Sequence, residues 1–190
     1  MYFATRNLIR IIKQEQPDVV HLHCLNASTV NIYRILHFLG ESRIPTVVTH
    51  HAEFFYTGSC GYSFDCLNFK QSKECRGCDT PKIATRRVIG NKAHYAWVKM
   101  KKAFSCFDTN KLIFTAVSPW VKQRSAMSPI VNGFPCEVVL NGVNTDIFCR
   151  KVSIDKQKYV LRGLDFSRKI VFHATASFTD SKNSIKGGYF

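Results

Sequence analysis

This sequence has few acidic residues, and it lacks long apolar runs and an export signal. Thirteen Asp and Glu residues stand against 27 Lys and Arg, which leaves a formal net charge of +14 over 190 residues. No apolar run approaches the ~18–20 residues of a membrane-spanning helix. Residues 1–14 have no charged start, apolar middle and small-residue cleavage site, so no secretory signal is predicted. The default compartment is therefore the cytosol.

Common ligand-binding signatures are missing as well. There is no P-loop, no GxGxxG turn and no internal repeat, and nothing matches an RRM, KH or helix-turn-helix pattern. The excess of positive charge still has two interpretations. It indicates either a solvated basic surface or an anionic partner, such as nucleic acid, a membrane leaflet or a phosphorylated substrate.

Helix and strand patterns alternate along most of the chain. Helices are predicted over residues 2–14, 29–39 (capped by Ser28 and ended by Gly40), 82–107 and from Ser118 onward, and strands over 19–23, 46–49, 112–117 and 136–140. Short connections between such elements are typical of a parallel sheet wrapped by helices. The predicted fold class is therefore α/β, with a Rossmann-like parallel sheet and flanking helices.

A turn signal over residues 141–148 divides the chain. Asn141-Gly142 follows a strand, and both residues tolerate positive φ. We predict a partial N-terminal domain over 1–140, an interdomain linker over 141–152 and the start of a second Rossmann-like domain over 153–190. The chain starts with a helix and not with the strand and glycine-rich turn that usually open such a domain, and the strand and part of a helix at its other end cannot bury a core alone. Part of a larger two-domain protein is therefore expected to be missing at both ends.

Four of the eight cysteines cluster in the irregular loop over residues 50–81. They are spaced Cys60-x5-Cys66-x8-Cys75-x2-Cys78. Four thiolates match a closed structural zinc site, which would leave no open position for catalysis. Unligated or redox-labile thiols packing the loop are the alternative. The isolated cysteines are expected to be small core residues; these are Cys24, Cys106, Cys136 and Cys149.

Histidines mark the ends of the first two strands. His21 and His23 alternate along one strand and therefore share a face. His50 and His51 end the next strand, where doubly wound folds place their ligands, and both are expected to face that crevice. His51 is the candidate donor to a ligand hydroxyl or phosphate, or a proton shuttle. His21 is more simply a core or rim residue.

The order of four stretches resembles glycosyltransferase family 4 of the two-domain GT-B fold, in particular its surface-polysaccharide branch. The stretches are residues 8–12 with 17–23, similar to "PDIIHLH"; residues 44–51 with 56–60, similar to "IPIVWTLHD…FTGHC"; residues 117–120, similar to "TPSKW"; and residues 141–148, similar to "NGIDTxxF". By the same resemblance, residues 1–140 are the acceptor-side domain and residues 153–190 begin the donor-binding domain. Residues 169–190 look like the first strand and loop of that donor domain.

The resemblance implies an activity and a set of residues. The family transfers a sugar from a nucleotide-sugar to an acceptor, with retention of anomeric configuration and no catalytic metal. The matched histidine near the transferred sugar is His51. The matched lysine at the donor diphosphate is Lys186, beside Gly187, or alternatively Lys182. The implied acceptor is a polysaccharide or a lipid-diphosphate glycan, met at the inner face of the plasma membrane, and no nucleic acid is expected.

Several family features are absent. Ala52 replaces the aspartate after the histidine, His173-Ala174-Thr175 replaces a Gly-Arg pair, and the glycine-rich opening loop is missing. The chain is therefore expected to be inactive by itself. Two alternatives stay open: a zinc-stabilised basic module that binds nucleic acid, and a non-catalytic peripheral membrane partner.

Overall fold

The computed structural model describes residues 1–25, 29–63, 65–70, 75, 92–149, 157, 160, 162–163 and 165–169. The elements, in chain order, are α1 (Tyr2–Glu15), β1 (Val20–His23), α2 (Ile32–Ser42), β2 (Thr46–His50), α3 (Phe54–Thr57), α4 (Ala93–Phe104), β3 (Leu112–Ala116), α5 (Pro119–Ala126) and β4 (Cys136–Val138), with short 3-10 turns at Asn68–Lys70 and Thr109–Lys111.

The four strands form one parallel sheet in the order β1-β2-β3-β4. His23 is paired with Thr49, and Thr49 with Thr115, so the carboxyl ends of the first three strands lie side by side. The predicted α/β class, with a Rossmann-like parallel sheet and flanking helices, is confirmed.

One face of the sheet carries the core. Val48 and Phe114 lie in register on neighbouring strands and pack with buried side chains of α2 and α4. Leu36 and Met100, from those two helices, are completely buried. Side chains alternate along a strand, so the residues between these core positions project from the opposite face.

Helix α2 differs from its prediction at both ends. Its N-cap is Asn31, whose side chain accepts a hydrogen bond from the backbone N–H of Arg34. Gly40 lies inside the helix, which ends at Ser42. A Cβ at Gly40 would stand 2.9 Å from the backbone carbonyl atoms of Cys106, so the glycine permits α2 to pack closely on the turn that follows α4. The predicted cap, Ser28, lies outside the described residues.

Two further predictions need correction or stay incomplete. Cys24 and Cys149 are exposed, and Cys106 and Cys136 are half-buried, so none of the isolated cysteines is a core residue. Each lies at the end of an element or in a turn, and only Cys136, at the start of β4, packs against the core from a half-buried position. The described part of the helix predicted over 82–107 is α4, which ends at Phe104, and residues 82–91 lie outside the description.

The chain separates into two compact units, Met1–Gly142 and Val143–Phe190. All nine helices and strands named above belong to the first unit. The assignment of the two units to acceptor and donor sides stays a prediction. Within the described part of the chain, no helix is long and apolar enough to cross a bilayer.

Candidate functional site

Two histidines meet at the carboxyl ends of neighbouring strands. His23 is the last residue of β1, and His51 directly follows β2. Their ring nitrogens Nδ1 and Nε2 lie 2.9 Å apart, within hydrogen-bond distance. Both side chains are exposed, so a ligand can reach the pair. This edge of a parallel sheet is where α/β folds bind their ligands.

A row of polar side chains crosses the sheet beside this pair. His21 Nε2 lies 2.7 Å from the hydroxyl of Thr49, which lies 2.7 Å from the hydroxyl of Thr115. The ring centroids of His21 and His23 are 4.0 Å apart. Partial burial, and then the charges that His23 and His51 would carry, lower the pKa of His21. These contacts favour a neutral His21 that forms a hydrogen bond with the Thr49 hydroxyl, whereas the sequence predicted hydrogen bonds to the backbone.

His50 does not face the crevice, which corrects the expectation from sequence. It ends β2 with its side chain on the core face, completely buried, and stacks on Phe114 with the ring centroids 4.7 Å apart. No described residue offers a hydrogen-bond partner to either ring nitrogen. Burial lowers its pKa to about 3. Strand alternation places adjacent residues on opposite sides, so only one of the two histidines can reach a ligand.

We expect His50→Leu to remove part of the acid sensitivity of folding. The unfolded chain binds a proton at His50 below about pH 6.5, and the folded chain binds it near pH 3. The free energy of unfolding therefore falls between these values, by up to ~1.4 kcal/mol per pH unit. Above pH 6.5 this contribution vanishes, and the leucine variant should be at least as stable as wild type.

Urea denaturation at several values between pH 7.5 and pH 4.5 measures this difference. The matched control is His37→Gln, because His37 is exposed on α2 beside Glu41. Stability curves of wild type and His50→Leu that run parallel below pH 6.5 would contradict the prediction.

A buried ion pair fixes the start of the cysteine-rich loop onto α5. Arg124 donates from Nε to Oε1 of Glu53 at 2.5 Å, and the two side chains are 12% and 4% exposed. The Glu53 carboxylate also accepts hydrogen bonds from the Tyr56 hydroxyl, at 3.1 Å, and from the backbone N–H of Ser63. Burial, and next the Glu53 charge, raise the pKa of Tyr56.

The same guanidinium continues into the loop. It donates to the hydroxyl of Ser63 and to the carbonyl of Cys66 at 3.4 Å. It also stacks over the rings of Phe69 and Trp120, at 5.2 and 4.9 Å from their centroids. Arg124 therefore holds the loop in position beside the strand ends.

Three of the four clustered cysteines are described. Cys60 and Cys75 are buried, and Cys66 is half-buried. Cys60 and Cys75 approach the same turn: Thr57 Oγ1 donates to the Cys60 carbonyl at 2.8 Å, and Cys75 Sγ lies 3.7 Å from the Thr57 carbonyl. Within the described ranges no group of three or more His, Cys, Asp or Glu converges on a metal position. Cys78 lies outside them, so the zinc site stays a prediction.

The predicted diphosphate residues also fall outside the description. Lys182, Lys186 and Gly187 are not among the described residues, and their role stays a prediction.

Sequence reasoning missed Glu53 and Arg124, which are 71 positions apart and carry no local signature. It found His23 and His51 separately, and the parallel order of β1 and β2 could have paired them.

The comparisons with known proteins return one match. The family model described as Glycosyltransferase Family 4 matches residues 1–147. Neither the curated proteins nor the solved structures contain a significant match.

Proposed function

This chain belongs to glycosyltransferase family 4, and we propose that it is the acceptor-side part of an enzyme that moves a sugar from a nucleotide-sugar to a polysaccharide or lipid-linked glycan. Membership of the family gives it a glycosyltransferase-like function, with a sugar donor and an acceptor as partners. The surface-polysaccharide branch, hexosyl transfer and retention of anomeric configuration belong to the proposal.

The observation that carries the proposal is the exposed His23–His51 pair at the carboxyl ends of β1 and β2. His51 is the residue assigned to the transferred sugar by resemblance. The hydrogen bond between His23 Nδ1 and His51 Nε2 couples the tautomers of the two rings and fixes the orientation of the His51 ring. His51 then presents its other ring nitrogen to a sugar hydroxyl, and His23 acts as a positioning residue.

The remaining groups are proposed from the resemblance. Charge builds on the donor diphosphate as the glycosidic bond breaks, and Lys186 with Gly187, or Lys182, would neutralise it. The reaction is proposed without a catalytic metal. Zinc at Cys60, Cys66, Cys75 and Cys78 would be structural. We also propose that the protein works at the cytoplasmic face of the plasma membrane, where lipid-diphosphate acceptors lie.

Nuclear magnetic resonance of chain labelled with 15N histidine tests the site. A panel of nucleotide-sugars is titrated in, alone and together with a short-chain prenyl-diphosphate N-acetylhexosamine, and we expect the ring signals of His51 and His23 to shift. His37, on the exposed surface of α2, is the internal reference. In His23→Phe the tautomer ratio of free His51 should change and ligand binding should weaken several-fold.

Shifts confined to other histidines, or a His51 tautomer that ignores His23→Phe, would remove the proposed site. Transfer is measured separately, with a panel of labelled nucleotide-sugars. The expectation that the 190-residue chain is inactive by itself stays a prediction, and sugar transfer by this chain would overturn it.

A further inference from the structure

A basic groove lies between α1 and the first turn of α2. It has a volume of about 690 Å³. Arg6, Arg10 and Lys13 line it from α1, and Arg34 lines it from α2. None of the residues lining the groove is an Asp or a Glu. Four cations therefore share one concave surface.

Like charges at this density repel one another unless an anion offsets them. Within the described residues, no carboxylate forms an ion pair with any of the four side chains. The groove is partly preorganised instead by Tyr2. The guanidinium carbons of Arg6 and Arg34 lie 5.6 and 5.5 Å from the centroid of its ring. One ring thus brings cations from two helices together. Arg6 also donates to the hydroxyl of Tyr2 at 3.5 Å, which leaves its other N–H groups for an anion.

Apolar side chains stand beside these cations. Phe3 lines the same groove and is 82% exposed, and the neighbouring Met1 is 70% exposed. A free phosphate ion would bind the cations and make no contact that requires an exposed phenyl ring. An anionic bilayer would contact both, because its headgroup phosphates bind the cations while the ring inserts at the acyl boundary.

We propose that α1 and Arg34 form a binding surface for anionic phospholipid, with Phe3 inserted at the acyl boundary. The proposal rests on the membrane contact in the proposed function and names the surface that makes it. It places that contact on α1, although residues 80–107 carry seven Lys and Arg and no Asp or Glu. Sugar transfer is not required for it.

Flotation of the 190-residue chain with vesicles tests the surface. The vesicles contain 30% phosphatidylglycerol in phosphatidylcholine, or phosphatidylcholine alone. We expect binding to the anionic vesicles only, weakened by added salt. The triple variant Arg6→Gln, Arg10→Gln, Lys13→Gln should bind about tenfold or more weakly, since each basic residue near an anionic surface contributes several-fold.

The charge-matched control removes three exposed lysines of α4, as Lys99→Gln, Lys101→Gln, Lys102→Gln. It should retain most of the binding. Phe3→Ser keeps every charge, sits at an exposed position and should weaken binding several-fold. Thermal melts of each variant establish that it is folded.

Equal losses of vesicle binding in the two triple variants would overturn the proposal, because they would show that the net charge of the chain, and not the α1 surface, determines binding. Failure to float with anionic vesicles would overturn it together with the membrane contact, but would leave the His51 site standing. Unchanged vesicle binding of Phe3→Ser, together with competition by inorganic phosphate, would overturn the insertion of Phe3 and identify a free-phosphate site instead. Tighter binding of single-stranded RNA than of vesicles, lost in the α1 triple variant, would identify nucleic acid as the partner.

Discussion

Replacing Arg124 with alanine should lower the free energy of unfolding by about 3–5 kcal/mol, because it leaves the Glu53 carboxylate buried without its counter-charge. The carboxylate is 4% exposed and cannot recover water. The substitution also removes the donors to Ser63 and Cys66 and the cation over Phe69. The loop that leads from β2 to the cysteine cluster would lose its anchor on α5.

Urea denaturation at neutral pH measures this loss. The matched control is Arg43→Ala, which breaks an ion pair with Asp108 of 3.0 Å in which the arginine is 70% exposed. Exposed pairs contribute little, so the control should change stability far less. The double variant Glu53→Gln, Arg124→Met should recover much of the loss, since it removes both charges.

Equal destabilisation by Arg124→Ala and Arg43→Ala would contradict the interpretation of Glu53–Arg124 as a buried, mutually dependent pair. No recovery in the double variant would show that the stacking of Arg124 on its aromatic neighbours, and not the charge, supplies the stability.

Replacing Gly58 with alanine should cost about 3 kcal/mol or more, from left-handed backbone strain together with overpacking. Gly58 ends α3 at φ +81°. An added Cβ would stand 2.5 Å from Cα and 2.7 Å from the backbone nitrogen of Trp97, which is 2% exposed in α4. Backbone atoms in a packed helix cannot move aside as a flexible side chain can.

Gly133→Ala is the control, because nothing lies within 4 Å of its Cβ position and its φ is not positive. Reducing the freedom of the unfolded chain should leave that variant as stable as wild type or slightly more so. Thermal and urea unfolding of both variants separate the two cases. Similar stabilities would mean that α4 does not pack closely on the turn at Gly58.

The repeating layers of this fold follow from local patterns. The run of β-branched residues at Thr46–Thr49 and the helix start at Ser118-Pro119 predict elements that the structure contains nearly unchanged. Such signals come from backbone preferences within a few residues, so they can be recognised in the sequence alone. The order of four such stretches was also enough to predict the family that the comparison over residues 1–147 supports.

Other features depend on residues that are distant along the chain. The sequence predicts that Gly40 ends a helix. In the structure it lies inside α2, where the absence of a side chain lets the backbone of Cys106 pack against it. Glu53 pairs with Arg124, which is 71 positions away in the sequence, and His23 forms a hydrogen bond with His51, which is 28 positions away. These contacts depend on which strands pair and which helices touch, and burial then fixes their chemistry. Local sequence patterns and their order along the chain thus predict most of the helices and strands and the family. The Glu53–Arg124 pair, the His23–His51 pair and the basic groove form only when the sheet and helices pack together.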